Sequence, residues 1–235
     1  AILGNILLWG AAAINGSRGS WVAIAAGTIL FLIALSFSEP RKSLGFVVLL
    51  FFAASAAFLT FSAFPQIFQA VGSRLNTFQN LEEEKSYMIR QLMNQKSLRL
   101  FEQSPFFGVG AGRFVVSSVL LDIPQVLRYA DQSHFDVASS HNSYLGFLAE
   151  NGLFGAVPFG ILLLLLVALG LKSAISLSRQ KQYWGMAVYS GFVGMSIHMW
   201  VISSLTGTVT WFIYGLVAAM IILAKAEFKE KSETM

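Results

Sequence analysis

Two arginines and one histidine are the residues of this chain whose types and settings could do chemistry. Arg18 sits in Asn15-Gly16-Ser17-Arg18-Gly19-Ser20, a short turn between two apolar runs. A guanidinium there either snorkels to lipid headgroups or clamps an anion, because its fork meets phosphate oxygens two at a time. Arg90 follows Ser86 in a stretch with helical apolar spacing and precedes Pro105; taken alone it reads as a solvated helix face. His141 follows Ser139 and Ser140, residues of the kind that cap helices, so it is expected in a first helical turn. Backbone N–H groups there collect anions. The positive helix end also favours a neutral imidazole, as a general base requires. A capping or interfacial histidine is the plainer alternative.

Other candidates carry less. His134 and Asp136 could join His141 around a metal, but their spacing matches no zinc pattern, and the chain has no Cys for a thiolate site or a disulfide. Glu82, Glu83 and Glu84 read as a charged helix start, since glycoside hydrolysis needs two positioned carboxylates. His198 lies inside an apolar run near its end, where an ionisable group is a functional candidate by default. Gly108-Val109-Gly110-Ala111-Gly112 lacks the Lys-Ser/Thr of a phosphate loop and the βαβ setting of a dinucleotide fold, so it reads as a backbone bend.

The elements that must position these groups are membrane helices. Of the 235 residues, 55% are hydrophobic and 12% charged, with a mean hydropathy of +0.65, against about 25% charged in a soluble domain. One soluble core cannot hide that much apolar surface. Candidate spans run over residues 2–14, 21–38, 44–64, 153–171, 183–203 and 208–224, some shorter than the roughly 20 residues a crossing helix needs. Ala1 already lies in an apolar stretch without Met or a basic leader, so the sequence is expected to start inside a longer protein and its first span to be truncated. The fold class is all-α: a polytopic bundle of about six spans with a long external helical loop. Residues 1–64 hold the first three spans, 65–150 the external region with the active site, 151–224 the last three spans, and 225–235 a cytoplasmic tail.

Basic residues cluster beside the spans: Arg41 and Lys42; Lys172, Arg179 and Lys181; Lys225, Lys229 and Lys231. With about six spans all three clusters fall on one side, cytoplasmic by the positive-inside rule. They account for the net charge of +4 without nucleic acid as a partner. The long region then faces outward. Within it, residues 81–101 read as a helix with Met88, Ile89, Leu92 and Met93 at helical spacings. A second helix starts near Ser140 and ends at Gly152.

In order along the chain, Ser17-Arg18-Gly19, then Ser86 and Arg90 with Pro105-Phe106-Phe107-Gly108-Val109-Gly110, then His141-Asn142-Ser143-Tyr144-Leu145 continuing to Glu150-Asn151-Gly152-Leu153-Phe154-Gly155, resemble the O-antigen ligase and polymerase superfamily of bacterial membrane proteins. The resemblance covers nearly the whole chain. It implies a lipid-dependent glycosyltransferase fold and transfer of a glycan from undecaprenyl pyrophosphate to an acceptor such as lipid A–core, outside the inner membrane. It further implies that Arg18, Arg90 and His141 are essential, with Asn142 and Tyr144 contacting substrate beside the arginines. Members often carry an aromatic four residues after the second Arg, where this chain has Asn94.

The residues fit such a reaction without a cofactor. Pyrophosphate is a good leaving group whose charge the arginines can meet, and an acceptor hydroxyl needs a base, for which His141 is placed. The absence of an obvious nucleophile points to a single inverting displacement without a metal. A polymerase that extends the glycan shares the donor and is the close rival. A transporter is a more distant one, since it places polar groups near the midplane and these spans are nearly charge-free.

Overall fold

The computed structural model describes residues 18–39, 41, 44–45, 47–48, 85–121, 139–203, 205 and 207–233. The first expected span, most of the third, the start of the external region, and His134 and Asp136 lie outside them. All regular structure among the described residues is helical: α1 (Arg18–Ser38), α2 (Lys85–Gln103), α3 (Phe114–Val119), α4 (Ser143–Arg179), α5 (Trp184–His198) and α6 (Thr208–Glu233). Among the described residues, three stretches are long and apolar enough to cross a membrane: Gly19–Ser36, Ser143–Arg179 and Thr208–Ala226. On α4, Phe154, Val157, Ile161 and Leu164 stand exposed at helical spacings, which suits lipid as the solvent.

The fifth expected span differs. Its helix stops at His198 after 15 residues, and residues 199–203 continue as a turn. At about 1.5 Å per residue that helix falls short of the ~30 Å hydrocarbon core. The cause lies in what the turn does: its released carbonyls satisfy donors at the start of α4, as described below.

The chain divides into two compact units. The first joins Ala1–Leu81, Ala168–Met195 and Ile213–Met235. In it α1 and α5 cross at glycines. A Cβ on Gly27 would stand 3.0 Å from the Ser190 carbonyl oxygen, and one on Gly194 2.9 Å from that of Ala23. Such small residues let membrane helices pack backbone to backbone. Leu177, Phe192 and Val217 are fully buried there, with the Phe192 ring edge-on to Tyr214. The Tyr183 hydroxyl donates to Glu39 at 2.8 Å. That bond ties the end of α1 to the start of α5.

The second unit, Glu82–Val167 with Ser196–Phe212, carries α2, α3 and the start of α4. Ile89, Leu92, Met93 and Leu100 form one face of α2 and bury against Phe114 and Ala149. Lys96 and Ser97 lie on the same face, Lys96 only 2% exposed. Its ammonium donates to the Ser118 carbonyl at 2.7 Å, at the C-terminal end of α3, where a cation suits the helix dipole. At the other end of α3, the Phe114 N–H donates to Glu150 Oε1 at 2.9 Å. A six-residue helix too short to hold itself is thus gripped at both ends by side chains of opposite charge.

Candidate active site

The His141 turn is built by its neighbours. The Asn142 side-chain oxygen accepts the N–H groups of Tyr144 and Leu145, each at 3.1 Å. Asn142 is therefore the helix cap, and α4 begins at Ser143. This corrects the expectation that Ser139 or Ser140 caps a helix containing His141. His141 stands before the helix, with φ at 51°, in the left-handed region that few non-glycine residues occupy. Asparagine wins the cap because its carboxamide reaches the N–H groups two and three residues on.

The unwound end of α5 holds this turn from the other side. Ser143 N–H donates to Met199 O at 2.9 Å, and Ser143 Oγ to Ile202 O at 2.6 Å. The Tyr144 hydroxyl donates to Ser196 O at 2.8 Å, and its ring lies 5.1 Å from that of Trp200. Ser140 Oγ donates to Asn142 O at 2.9 Å and lies 3.0 Å from Ser203 Oγ. Ser140 has one hydroxyl proton, so the hydrogen of the second contact comes from Ser203. Gly146 is the space in which Ser140 rests, since a Cβ there would fall on the Ser140 side chain.

Nine residues after Ser143, α4 breaks at Gly152 (φ 57°, ψ −162°). Helix breaks strand amides and carbonyls, and here the turn after α2 takes up both. Val109 and Gly110 donate to Ala149 O and Glu150 O at 3.0 and 2.9 Å; Leu153 and Phe154 donate to Pro105 O and Phe106 O at 2.8 and 3.0 Å. A Cβ at Gly108 would fall on the Glu150 carbonyl, and one at Gly152 on that of Phe106. The Pro105–Gly110 and Glu150–Gly155 motifs are thus the two halves of one main-chain joint.

Beside the joint, a cavity of about 250 Å³ opens in the second unit. Ser139, Ser140, Ser143 and Ser203 bring hydroxyls to it, Phe147 an aromatic face and Glu150 a carboxylate. His141 is flanked by lining residues without itself lining the cavity. Arg90 stands half-buried on α2, next to core residue Ile89. One turn on, the Asn94 side-chain oxygen is buried without a hydrogen-bond partner. Burial pushes the Lys96 ammonium below the usual lysine range. No group of three His, Asp or Glu side chains among the described residues could hold a metal.

Of the residues singled out from sequence, Arg90, His141, Asn142 and Tyr144 belong to the second unit, and Arg18, the first residue of α1, to the first. The Asn142 side-chain oxygen and the Tyr144 hydroxyl bind the protein itself. Glu150, Lys96 and Ser203 were missed as individual residues. Glu150 stood inside a quoted motif, and its spacing from the helix-breaking Gly152 was the available signal. Ser203 had none, because its partner Ser140 is 63 residues away.

Comparison with individual curated proteins gave no match. A family model described as O-antigen ligase matches residues 3–160. That stretch takes in the Arg18 turn, the α2 helix, both halves of the joint and the His141 turn, and it is well over half of the 235 residues. The chain is a helical membrane protein that belongs to the O-antigen ligase family.

Proposed function

We propose that the protein transfers a glycan from undecaprenyl pyrophosphate to a hydroxyl of an acceptor such as lipid A–core, on the outer face of the inner membrane. The acceptor oxygen bonds to the anomeric carbon as the bond from that carbon to the pyrophosphate oxygen breaks. His141 takes the hydroxyl proton. Undecaprenyl pyrophosphate leaves with the bonding electrons, its added charge met by Arg90; Arg18 is the second arginine that the family resemblance offers for that charge. One displacement of this kind inverts the anomeric centre and requires neither metal nor nucleotide. Asn142, Tyr144 and Ser143 act as positioning residues that set the backbone of the base.

The observation that carries this reading is the His141 turn. A non-glycine residue is held left-handed by hydrogen bonds on both sides, beside a hydroxyl-lined cavity. Strain of this kind persists where the surroundings impose it, and it clusters at active sites. Donor binding measured beside turnover in purified His141→Ala tests it. The expected result is a loss of roughly 10²–10⁴-fold in transfer, the range for a general base, with donor binding retained. Collapse of binding together with turnover would move His141 from base to donor-holding residue. With a defined acceptor, products one repeat unit longer in place of glycan joined to lipid A–core would make the enzyme a polymerase.

A further inference from the structure

The cavity beside the His141 turn differs in chemistry from a pyrophosphate site. Among the described residues none that lines it is cationic, and the only charge is the Glu150 carboxylate, which repels phosphate. What it presents instead are four serine hydroxyls, one carboxylate and the Phe147 ring. At about 250 Å³ it is smaller than the ~300–1,000 Å³ sites that take drug-sized ligands. It therefore suits one ring and not a chain of them.

We propose that this cavity is a subsite for a single sugar ring and not for the pyrophosphate. The inference rests on the glycan-transfer reading above and adds where the sugar sits. Carboxylate oxygens accept hydrogen bonds from sugar hydroxyls, Ser139 can donate or accept, and Ser140 and Ser143, whose protons go to Asn142 O and Ile202 O, can only accept. Ser203 spends its proton on Ser140 and keeps acceptor capacity. Glu150 gives Oε1 to the Phe114 N–H, which fixes the carboxylate before any ligand arrives. The Phe147 ring, 5.0 Å from that of Phe159, offers an apolar face to the C–H side of a pyranose. Ser139, Ser140 and Ser143 flank His141, so a ring bound here brings its hydroxyls to the strained turn.

The ring belongs to the donor glycan or to the acceptor, and one experiment separates the two. The 235 residues contain no Cys, so Val115→Cys, on the cavity wall, supplies a reporter thiol in the protein in nanodiscs, with the parent protein as the labelling control. Its reaction rate with a small neutral methanethiosulfonate is measured with three probes: undecaprenyl pyrophosphate, the undecaprenyl-pyrophosphate-linked glycan, and lipid A–core. At about ten times its Kd, a ligand that fills the cavity slows the reaction about tenfold by mass action. Protection by the lipid-linked glycan and not by the bare carrier assigns the donor ring, and protection by lipid A–core assigns the acceptor ring. Equal protection by bare undecaprenyl pyrophosphate, or none by either glycolipid, overturns the subsite. Ser139→Cys is a second reporter should Val115→Cys fail to fold. Protection is read without turnover. Absence of transfer in the unmodified protein therefore counts against the proposed function alone.

Discussion

A left-handed backbone costs an ordinary residue about 1–2 kcal/mol, and His141 bears that cost at φ 51°. His141→Gly should relieve it, raising the thermal unfolding midpoint in detergent while transfer falls as far as in His141→Ala. A glycine variant less stable than the parent would show that the imidazole supports the fold. Arg90→Ala should abolish transfer at normal expression. Arg90→Lys should stay poor, since a point charge lacks the planar fork that grips phosphate; full activity in either would return Arg90 to a solvated helix face. Lys96 gives a pH signature. Burial lowers its folded pKa, so between that value and the ordinary lysine value the unfolded chain holds a proton that the folded chain does not. Stability should therefore rise with pH across this window. In Lys96→Met that component of the slope should vanish when unfolding midpoints are compared across pH.

The Gly152 joint separates two kinds of glycine at the scale of elements. Gly108, Gly112 and Gly152 all have positive φ, at 70°, 70° and 57°. A Cβ on Gly112 meets nothing within 4 Å, whereas one on Gly108 or Gly152 falls on backbone. Gly112→Ala should cost only the ~1–2 kcal/mol of left-handed strain. Gly108→Ala and Gly152→Ala should also break the joint and lose folded protein, read as the monodisperse fraction in size-exclusion chromatography. Much of this layer was legible in the sequence. The apolar spacing of Met88 to Met93 placed α2, and Gly152 ended the helix where the pattern put its end. Short elements were not legible: Phe114–Val119 has no cap of its own and exists because Glu150 and Lys96 grip it from other helices. Lys96 was not legible as a buried charge, because its partner, the Ser118 carbonyl, lies 22 residues away. The Asn142 cap was misread because Ser, Asn and Asp cap about equally well, and only the tertiary bonds to Met199 and Ile202 decide which residue starts the helix.

For the whole molecule, we propose from the three basic clusters that Lys181 and the tail face the cytoplasm and α2 the outside. Because the chain lacks Cys, Gln103→Cys and Ser176→Cys can be probed with an impermeant maleimide on intact spheroplasts. Gln103→Cys should label and Ser176→Cys should not; the reverse pattern would overturn the topology. The main-chain joint bears on how such a molecule opens. The amides of Val109, Gly110, Leu153 and Phe154 are shared between a segment outside the membrane helices and the longest of those helices. Segments tied in this way tend to open as one cooperative unit. In deuterium exchange these four amides should be replaced together, with one opening free energy, although 43 residues separate Gly110 from Leu153 along the chain.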